Sequence, residues 1–554
     1  MNETTQSAPD RPFKNKRVLL IDDQRSFQVM MKAMLQNVGL NKVTILATAE
    51  EARRRCSKES FDIYLIDYNL GSGENGRQLL EYLREAKLLP PLAVVFIVSG
   101  DNSRSMVLSA LESEPDDYMM KPFSQDQLRL RLLRALQRKQ SLAGVFRALA
   151  EQEPQAVIQA CDEALKDENN RYANYCRCLM AEMLLREQEP QRAHDLLIQA
   201  LNDVESSWMR MSLGKACYLL GQHEAAVEHL KKAVQDRPLM VEAYRWMASA
   251  QLAASHNDAA METLERAIQI SPQSGMLHQQ MAEVSLARED YLKAKDSLST
   301  LMELNRFSVQ RTPQALGNYI HCLILYALHS EDPYHIANLQ KQVNSALYRC
   351  RDALLTTEFD YAAFEQVCQA RVQMARGDLV RGKKMLYKAH QNYMAEPERM
   401  PEALLSETVL GLLQLGEFEY ADQLQACLSE SALADPMVSQ CLSSARHDSL
   451  LAERNQKYQE LNEQGILAYK NGHLDEALLF FRDALRRAPA NTSAALNKIQ
   501  VLIQLLGQYK KDRGTELYEE CRATLSALDA VILNQTQRAR LDELHAEFAQ
   551  LRRP

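Results

Sequence analysis

Asp22 and Asp23 stand side by side after the apolar run Val18 to Ile21. A third carboxylate, Asp67, follows Ile63 to Ile66; a hydroxyl, Ser99, follows Val94 to Val98; and an ammonium, Lys121, precedes Pro122. Three carboxylates brought together repel one another, so such a cluster is stable at neutral pH only with a proton or a cation. An oxygen-rich acidic set suits Mg2+, which keeps several waters and joins one or two carboxylates to a phosphoryl oxygen. A carboxylate is also a nucleophile that can carry an aspartyl phosphate. Phosphoryl transfer asks mainly for positioning and charge stabilisation, which a metal, an ammonium and a hydroxyl provide. Asp67 is the best nucleophile candidate, because it follows the central strand and precedes a glycine-containing loop, Gly71 to Gly76. Taken singly, each residue is ordinary: a strand-end Asp caps a turn, Ser99 before Gly100 is a turn residue, and Lys121 is a surface lysine. Their joint occurrence at the ends of strands is what singles them out.

That convergence requires the preceding segments to be strands of one sheet. Strand-length apolar runs occur at Val18 to Ile21, Val43 to Leu46, Ile63 to Ile66, Leu92 to Val98 and Tyr118 to Met120, with helical periodicity between them. Phe27, Met30, Met31, Met34, Leu35 and Val38 fall on one helix face, and Gly39 supplies a left-handed stop. Ser124 and Gln127 form a capping box that opens a Leu-rich helix, Leu128 to Leu136. Five strands alternating with five helices predict a doubly wound parallel sheet, whose ligands bind at the carboxyl ends of the strands.

These residues and their order resemble the receiver domain of two-component response regulators, over roughly Lys16 to Arg138. The resemblance implies a flavodoxin-like fold, Asp67 as phosphoacceptor, and Mg2+ held by Asp23 directly, by Asp22 through water, by Asp67 and by the backbone carbonyl of Asn69. It further implies Ser99 and Lys121 as phosphoryl-binding residues, a cis-type Lys-Pro at Pro122 and Tyr118 as the moving aromatic of the switch. Two features depart from the family pattern: Gly71 stands where many receivers carry proline, and Ser99 stands where Thr is commoner.

The remaining 400 or so residues lack strand signals. A shift of 34 residues aligns Ala226 with Ala260, Leu230 with Leu264, Ala233 with Ala267 and Pro238 with Pro272; Ala294 and Leu298 continue the register. Ala193, Leu197 and Ala200 match upstream, and Gly465, Ala477, Phe481, Ala484 and Pro489 repeat the spacing downstream. Small residues at fixed positions let two antiparallel helices approach, and the proline ends the second helix. This pattern resembles the tetratricopeptide repeat (TPR). Weaker marks, Gly377, Gly416, Ala421 and Pro436, indicate degenerate hairpins. Because each hairpin buries its apolar side only against a neighbour, the array is expected to form a curved solenoid. Its concave wall is expected to present Trp208, Met211, Lys215, Tyr218, Arg245 and Ser249. Val438 to Asn462 reads as one long charged helix that either joins two repeat blocks or forms a homodimer contact.

The expected organisation is therefore multidomain: a disordered tail at 1–15, a receiver at 16–139, connecting helices at 140–170, TPR repeats at 171–306 and degenerate hairpins at 307–440. A long helix, a C-terminal repeat and capping helices follow at 441–554. The helix after the fifth strand runs towards Gly144 without a proline, which gives the array a path by which to feel the receiver. Net charge -8 supplies no basic footprint for nucleic acid. The polar N-terminus lacks a signal peptide's apolar segment, and the longest apolar run, Leu92 to Val98, is too short to span a bilayer. Eleven cysteines without paired metal spacing read as reduced thiols in the cytoplasm.

The resulting expectation is a phosphorelay response regulator. A sensor histidine kinase or histidine phosphotransfer protein donates the phosphoryl group, and the output is capture or release of a protein partner on the array rather than DNA binding. The alternative is a constitutive TPR scaffold whose receiver serves mainly for docking. No enzymatic output beyond self-phosphorylation and self-dephosphorylation is expected.

Overall fold

Strict alternation of buried side chains builds the N-terminal sheet. The computed structural model describes residues 13–551 except 72, 101–113, 168, 306–311, 355–358, 448, 509–512 and 530–532. Most of the tail expected at 1–15, and the helix expected between Ser99 and the fifth strand, lie outside the described residues. The strands are β1 (Arg17–Ile21), β2 (Lys42–Leu46), β3 (Ile63–Asp67), β4 (Val94–Ser99) and β5 (Asp117–Met120). They pair in parallel in the order β2-β1-β3-β4-β5. Val18, Leu20, Ile63, Leu65, Phe96 and Val98 point to one face, where they pack on helices α1 (Arg25–Asn37) and α4 (Gln125–Ser141). Leu19, Ile21, Tyr64, Ile66, Val95 and Ile97 point to the other, against α2 (Ala49–Cys56) and α3 (Gly76–Glu85). Burial on both faces is why these strands read as apolar runs rather than as polar-apolar alternation.

The helix starts are fixed by local chemistry. Thr48 accepts the Glu51 N–H at the start of α2, and reciprocal capping boxes join Asn75 with Gln78 and Ser124 with Gln127 at the starts of α3 and α4. Gly39 follows α1 at φ +93°, as its stop signal predicts. After α4 only Leu142 intervenes before the next helix, Ala143–Glu151.

From Pro154 onward the chain is helical, and two compact units divide it. One comprises Met1–Val284 and Glu303–Gln310; the other comprises Ser285–Met302 and Arg311–Pro554. In the first unit, hairpins such as Ser207–Leu219 with His223–Asp236, and Val241–Ala253 with Asn257–Ile270, share one core with Ala193, Leu197, Ala226, Leu230, Ala233, Ala260, Leu264 and Ala267. These are the residues that the 34-residue register brings into line. Helices end two residues before Pro238 and Pro272, at Asp236 and Ile270. A Cβ on Gly214 would lie 2.5 Å from Leu230 Cγ, so glycine permits the close crossing of this hairpin.

In the second unit, Gly465 meets Phe481 in the same way, at 2.7 Å. Of the weaker marks, Gly377 and Gly416 follow helix ends with left-handed φ of +91° and +89°, Ala421 is buried within helix Phe418–Gln425, and Pro436 opens the next long helix. Two buried ion pairs brace this unit: Arg371 with Glu407, and Lys383 with Glu417 at 2.6 Å. The stretch read as one charged helix is helical on both sides of residue 448, over Pro436–His447 and Ser449–Lys470, and residue 448 itself lies outside the described residues. No helix among the described residues is long and apolar enough to cross a membrane, and all eleven cysteines are free.

Candidate functional site

The carboxyl ends of β1, β3, β4 and β5 meet on one rim of the sheet. There, carboxylate oxygens of Asp22, Asp23 and Asp67 lie within 4.8 Å of one another. Lys121 Nζ donates to Asp22 Oδ2 at 2.7 Å and to Asp67 Oδ2 at 2.9 Å. The ammonium also sits 3.8 Å above the Phe27 ring, whose electron-rich face favours a cation. Asp22, fully buried, uses Oδ1 to accept the Gln24 N–H at 2.8 Å, while its backbone carbonyl accepts from Gln28 Nε2 at 2.5 Å. Asp23 faces solvent. The three carboxylates thus differ in environment: one is fully hydrogen-bonded, one is open, and one is poised between burial and an ammonium.

Asp67 is the poised one. It is 3% exposed, and burial pushes its carboxyl up to about 6; Lys121 and the Asn69 N–H work against that rise, while Asp22 adds to it. One ammonium therefore does not balance three carboxylates. The donor set, hard oxygens with one open carboxylate, fits a hydrated divalent cation such as Mg2+. Gly71, at φ +86°, keeps the loop beside Asp23, where its Cβ would lie 3.6 Å from Oδ2. Gly76 is tighter still, since a Cβ there would stand 2.1 Å from the Asp67 carbonyl oxygen.

Ser99 is fully buried at the end of β4, and its carbonyl accepts the Lys121 N–H at 2.7 Å. The Lys121-Pro122 peptide is cis. Tyr118 is 9% exposed and packs in the α2–α3 face of the core. Asn69 is exposed on the loop after Asp67. The fold thus brings Asp22, Asp23, Asp67, Ser99 and Lys121 to one rim. Sequence reasoning missed Phe27, which reads as one more apolar position of α1, and Gly76, whose role depends on the distance to a carbonyl in another element.

The six residues expected on the concave wall divide. Trp208 is half-exposed, whereas Met211 is buried at 3% and Lys215 at 4%. Met211 belongs to the packing core, so it offers no surface to a ligand. The Lys215 ammonium is held by Glu242 at 2.5 Å and Glu182 at 3.2 Å. Tyr218 packs edge-on to Trp246 at 5.6 Å; Arg245 lies over the same indole; and Ser249 accepts from Gln280 at 2.8 Å. Glu182, Glu242, Trp246 and Gln280, which sequence reasoning did not single out, are the partners of these side chains.

Residues 18–133 match the response regulator receiver domain model, and residues 218–274 and 462–524 match tetratricopeptide repeat models. The chain is similar to the alkaline phosphatase synthesis transcriptional regulatory protein PhoP of Bacillus subtilis, with 30% identity over 129 residues, covering 23% of this chain and 52% of that protein. It is 29% identical over 130 residues to the alginate biosynthesis transcriptional regulatory protein AlgB of Pseudomonas aeruginosa, covering 24% of this chain and 28% of that one. The chemotaxis protein CheY-3 of Vibrio cholerae is 26% identical over 125 residues, 23% of this chain and 95% of that protein. The match thus spans about half of PhoP, a little over a quarter of AlgB and nearly all of CheY-3. Among solved structures, a CheY-like receiver domain protein from Methanospirillum hungatei is 28% identical, covering 23% of this chain and 96% of that chain at a TM-score of 0.21. The receiver domain of the Francisella response regulator 1452 is also 28% identical, covering 23% and 99% at a TM-score of 0.21.

Proposed function

We propose that this chain, a response-regulator receiver domain joined to tetratricopeptide repeats, accepts a phosphoryl group on Asp67 and signals through protein contacts of its repeat array. The supporting observation is the buried Asp67 carboxylate, hydrogen-bonded to Lys121 and grouped with Asp22 and Asp23 at the ends of parallel strands. In this reading Asp67 Oδ attacks phosphorus on a donor phosphohistidine. The P–N bond breaks, the imidazole keeps the electron pair, and an acyl phosphate forms on Asp67.

Asp23, Asp67 and the Asn69 carbonyl would hold Mg2+ directly, with Asp22 acting through water; a bound Mg2+ supplies positive charge to the phosphoryl oxygens. Lys121 exchanges its hydrogen bond to the Asp67 carboxylate for one to a phosphoryl oxygen, and the Ser99 hydroxyl takes another. The inward pull on Ser99 draws Tyr118 with it and alters the β5–α4 surface. From there α4 passes through Leu142 into the repeats, and the Lys139 ammonium lies 4.0 Å over the Phe146 ring across that junction.

The array is read as the output because repeats stack into ligand-binding walls, and because net charge -8 disfavours a polyanionic partner. PhoP and AlgB are named as transcriptional regulators, but their likeness to this chain extends over 129 and 130 residues only. The phosphodonor is proposed to be a sensor histidine kinase or a histidine phosphotransfer protein, in the cytoplasm, and the array's partner a protein. Incubation with acetyl phosphate and Mg2+ tests the reading. One phosphoryl group per chain is expected by intact mass, absent without Mg2+ and absent in Asp67→Asn; a label retained by Asp67→Asn contradicts it.

A further inference from the structure

The segment that follows Asp67 is covered. In α3, Leu79, Leu80 and Leu83 face the sheet core, so Arg77 and Gln78 should lie in solvent; they are instead 8% and 5% exposed. Arg77 pairs with Glu81 on its own helix, whereas Gln78 reaches the array. Its Oε1 accepts the Asn75 N–H at 3.0 Å to complete the helix cap, and its Nε2 donates to the Leu304 carbonyl at 3.3 Å. Tyr68, immediately after Asp67 and 3% exposed, donates its hydroxyl to Gln273 Oε1 at 3.5 Å. Gln273 lies in the turn between helices Asn257–Ile270 and Gly275–Ala287, and Leu304 lies in the Glu303–Gln310 segment of the same compact unit. Leu92 also packs against the array core, and the Arg138 guanidinium lies 6.0 Å over the Tyr175 ring.

This contact is wired to the phosphoacceptor by the backbone. The Tyr68 N–H donates to Val98 of β4 and its carbonyl accepts from Gly76, both at 2.8 Å. Gly76 rests against the Asp67 carbonyl with no room for a Cβ. A shift at Asp67 or Asn69 therefore moves the first turn of α3, which carries Gln78. At 3.3 and 3.5 Å both contacts are already longer than the usual hydrogen-bond range, so a displacement of a few tenths of an ångström breaks them.

We propose that the β3–α3 segment of the receiver is an interaction surface for the array's own Gln273 turn and Leu304 segment, and that phosphorylation of Asp67 loosens it. The proposal rests on Asp67 being the phosphoacceptor. The coupling is reciprocal: what phosphorylation weakens must, when absent, make phosphorylation easier. The repeats then act on the receiver as well as reading it.

The full chain with beryllium trifluoride and Mg2+, which together mimic an acyl phosphate, provides the test. Hydrogen exchange in peptides containing Gln273 and Leu304 should rise when the mimic binds. The variant Tyr68→Phe with Gln78→Glu keeps the α3 cap, because a carboxylate still accepts the Asn75 N–H, but loses both donors to the array. It should show the raised exchange without the mimic and bind the mimic about five-fold more tightly, within the usual range of coupling between sites. Unchanged exchange on binding, or equal mimic affinity in variant and parent, overturns the inference while leaving the phosphoacceptor reading intact. No mimic binding by the parent, together with no label from acetyl phosphate, removes both.

Discussion

Gly76 shows how closely the reactive carboxylate is tied to its neighbours. Its missing Cβ leaves the 2.1 Å approach on which α3 packs against the Asp67 carbonyl. Gly76→Ala must push α3 away from β3, and overpacking of this kind costs about 1–3 kcal/mol. Urea unfolding should show that loss, and labelling by acetyl phosphate should slow because Asp67 moves with its carbonyl; a variant with parental stability would contradict the packing. At this scale the sequence disclosed the charged and hydroxyl residues, because a strand-end position in a parallel sheet is itself an address. Phe27 and Gly76 stayed hidden, because their work depends on distances of 3.8 Å and 2.1 Å to groups in other elements. The outer face of α3 also gave no warning, since a Gln beside an Arg at a helix start reads as solvated surface.

Among the elements, the helical hairpins of the second unit rest on buried polar groups that also set a pH limit. His390, fully buried after helix Leu379–Ala389, donates from Nδ1 to the Leu386 carbonyl at 2.7 Å and accepts at Nε2 from the Tyr420 hydroxyl at 3.2 Å. Acceptance at Nε2 requires the neutral ring, and burial lowers its pKa to about 4 against the opposing pull of the Leu386 carbonyl. The unfolded chain binds a proton near pH 6.5 while the folded chain does not, so stability falls as pH drops from about 6.5 towards about 4, by roughly 3 kcal/mol in all. Urea midpoints at pH 7 and pH 5 should separate in the parent and draw together in His390→Gln, whose lower stability at pH 7 is a separate effect. An equal separation in both would contradict the assignment.

The strands and the well-formed repeats were legible because apolar runs and a 34-residue register each follow from one packing geometry. Met211 failed as a surface residue because helical periodicity gives a face to each residue but not the depth at which a neighbouring repeat buries it.

For the whole molecule, the central claim is that chemistry on one carboxylate is felt by a helical array. The chain is suited to testing it, because both of its tryptophans, Trp208 and Trp246, lie in the repeats and none lies in the receiver. Trp208 is half-exposed, and Trp246 packs edge-on against Tyr218 with the Lys215 ammonium over its ring, so both indoles report on changes in packing and solvent. The measurement is tryptophan emission of the full chain on addition of Mg2+ and acetyl phosphate, followed in parallel with phosphoryl incorporation. A shift that tracks incorporation and is absent in Asp67→Asn is predicted; full incorporation at Asp67 with unchanged emission would contradict the account.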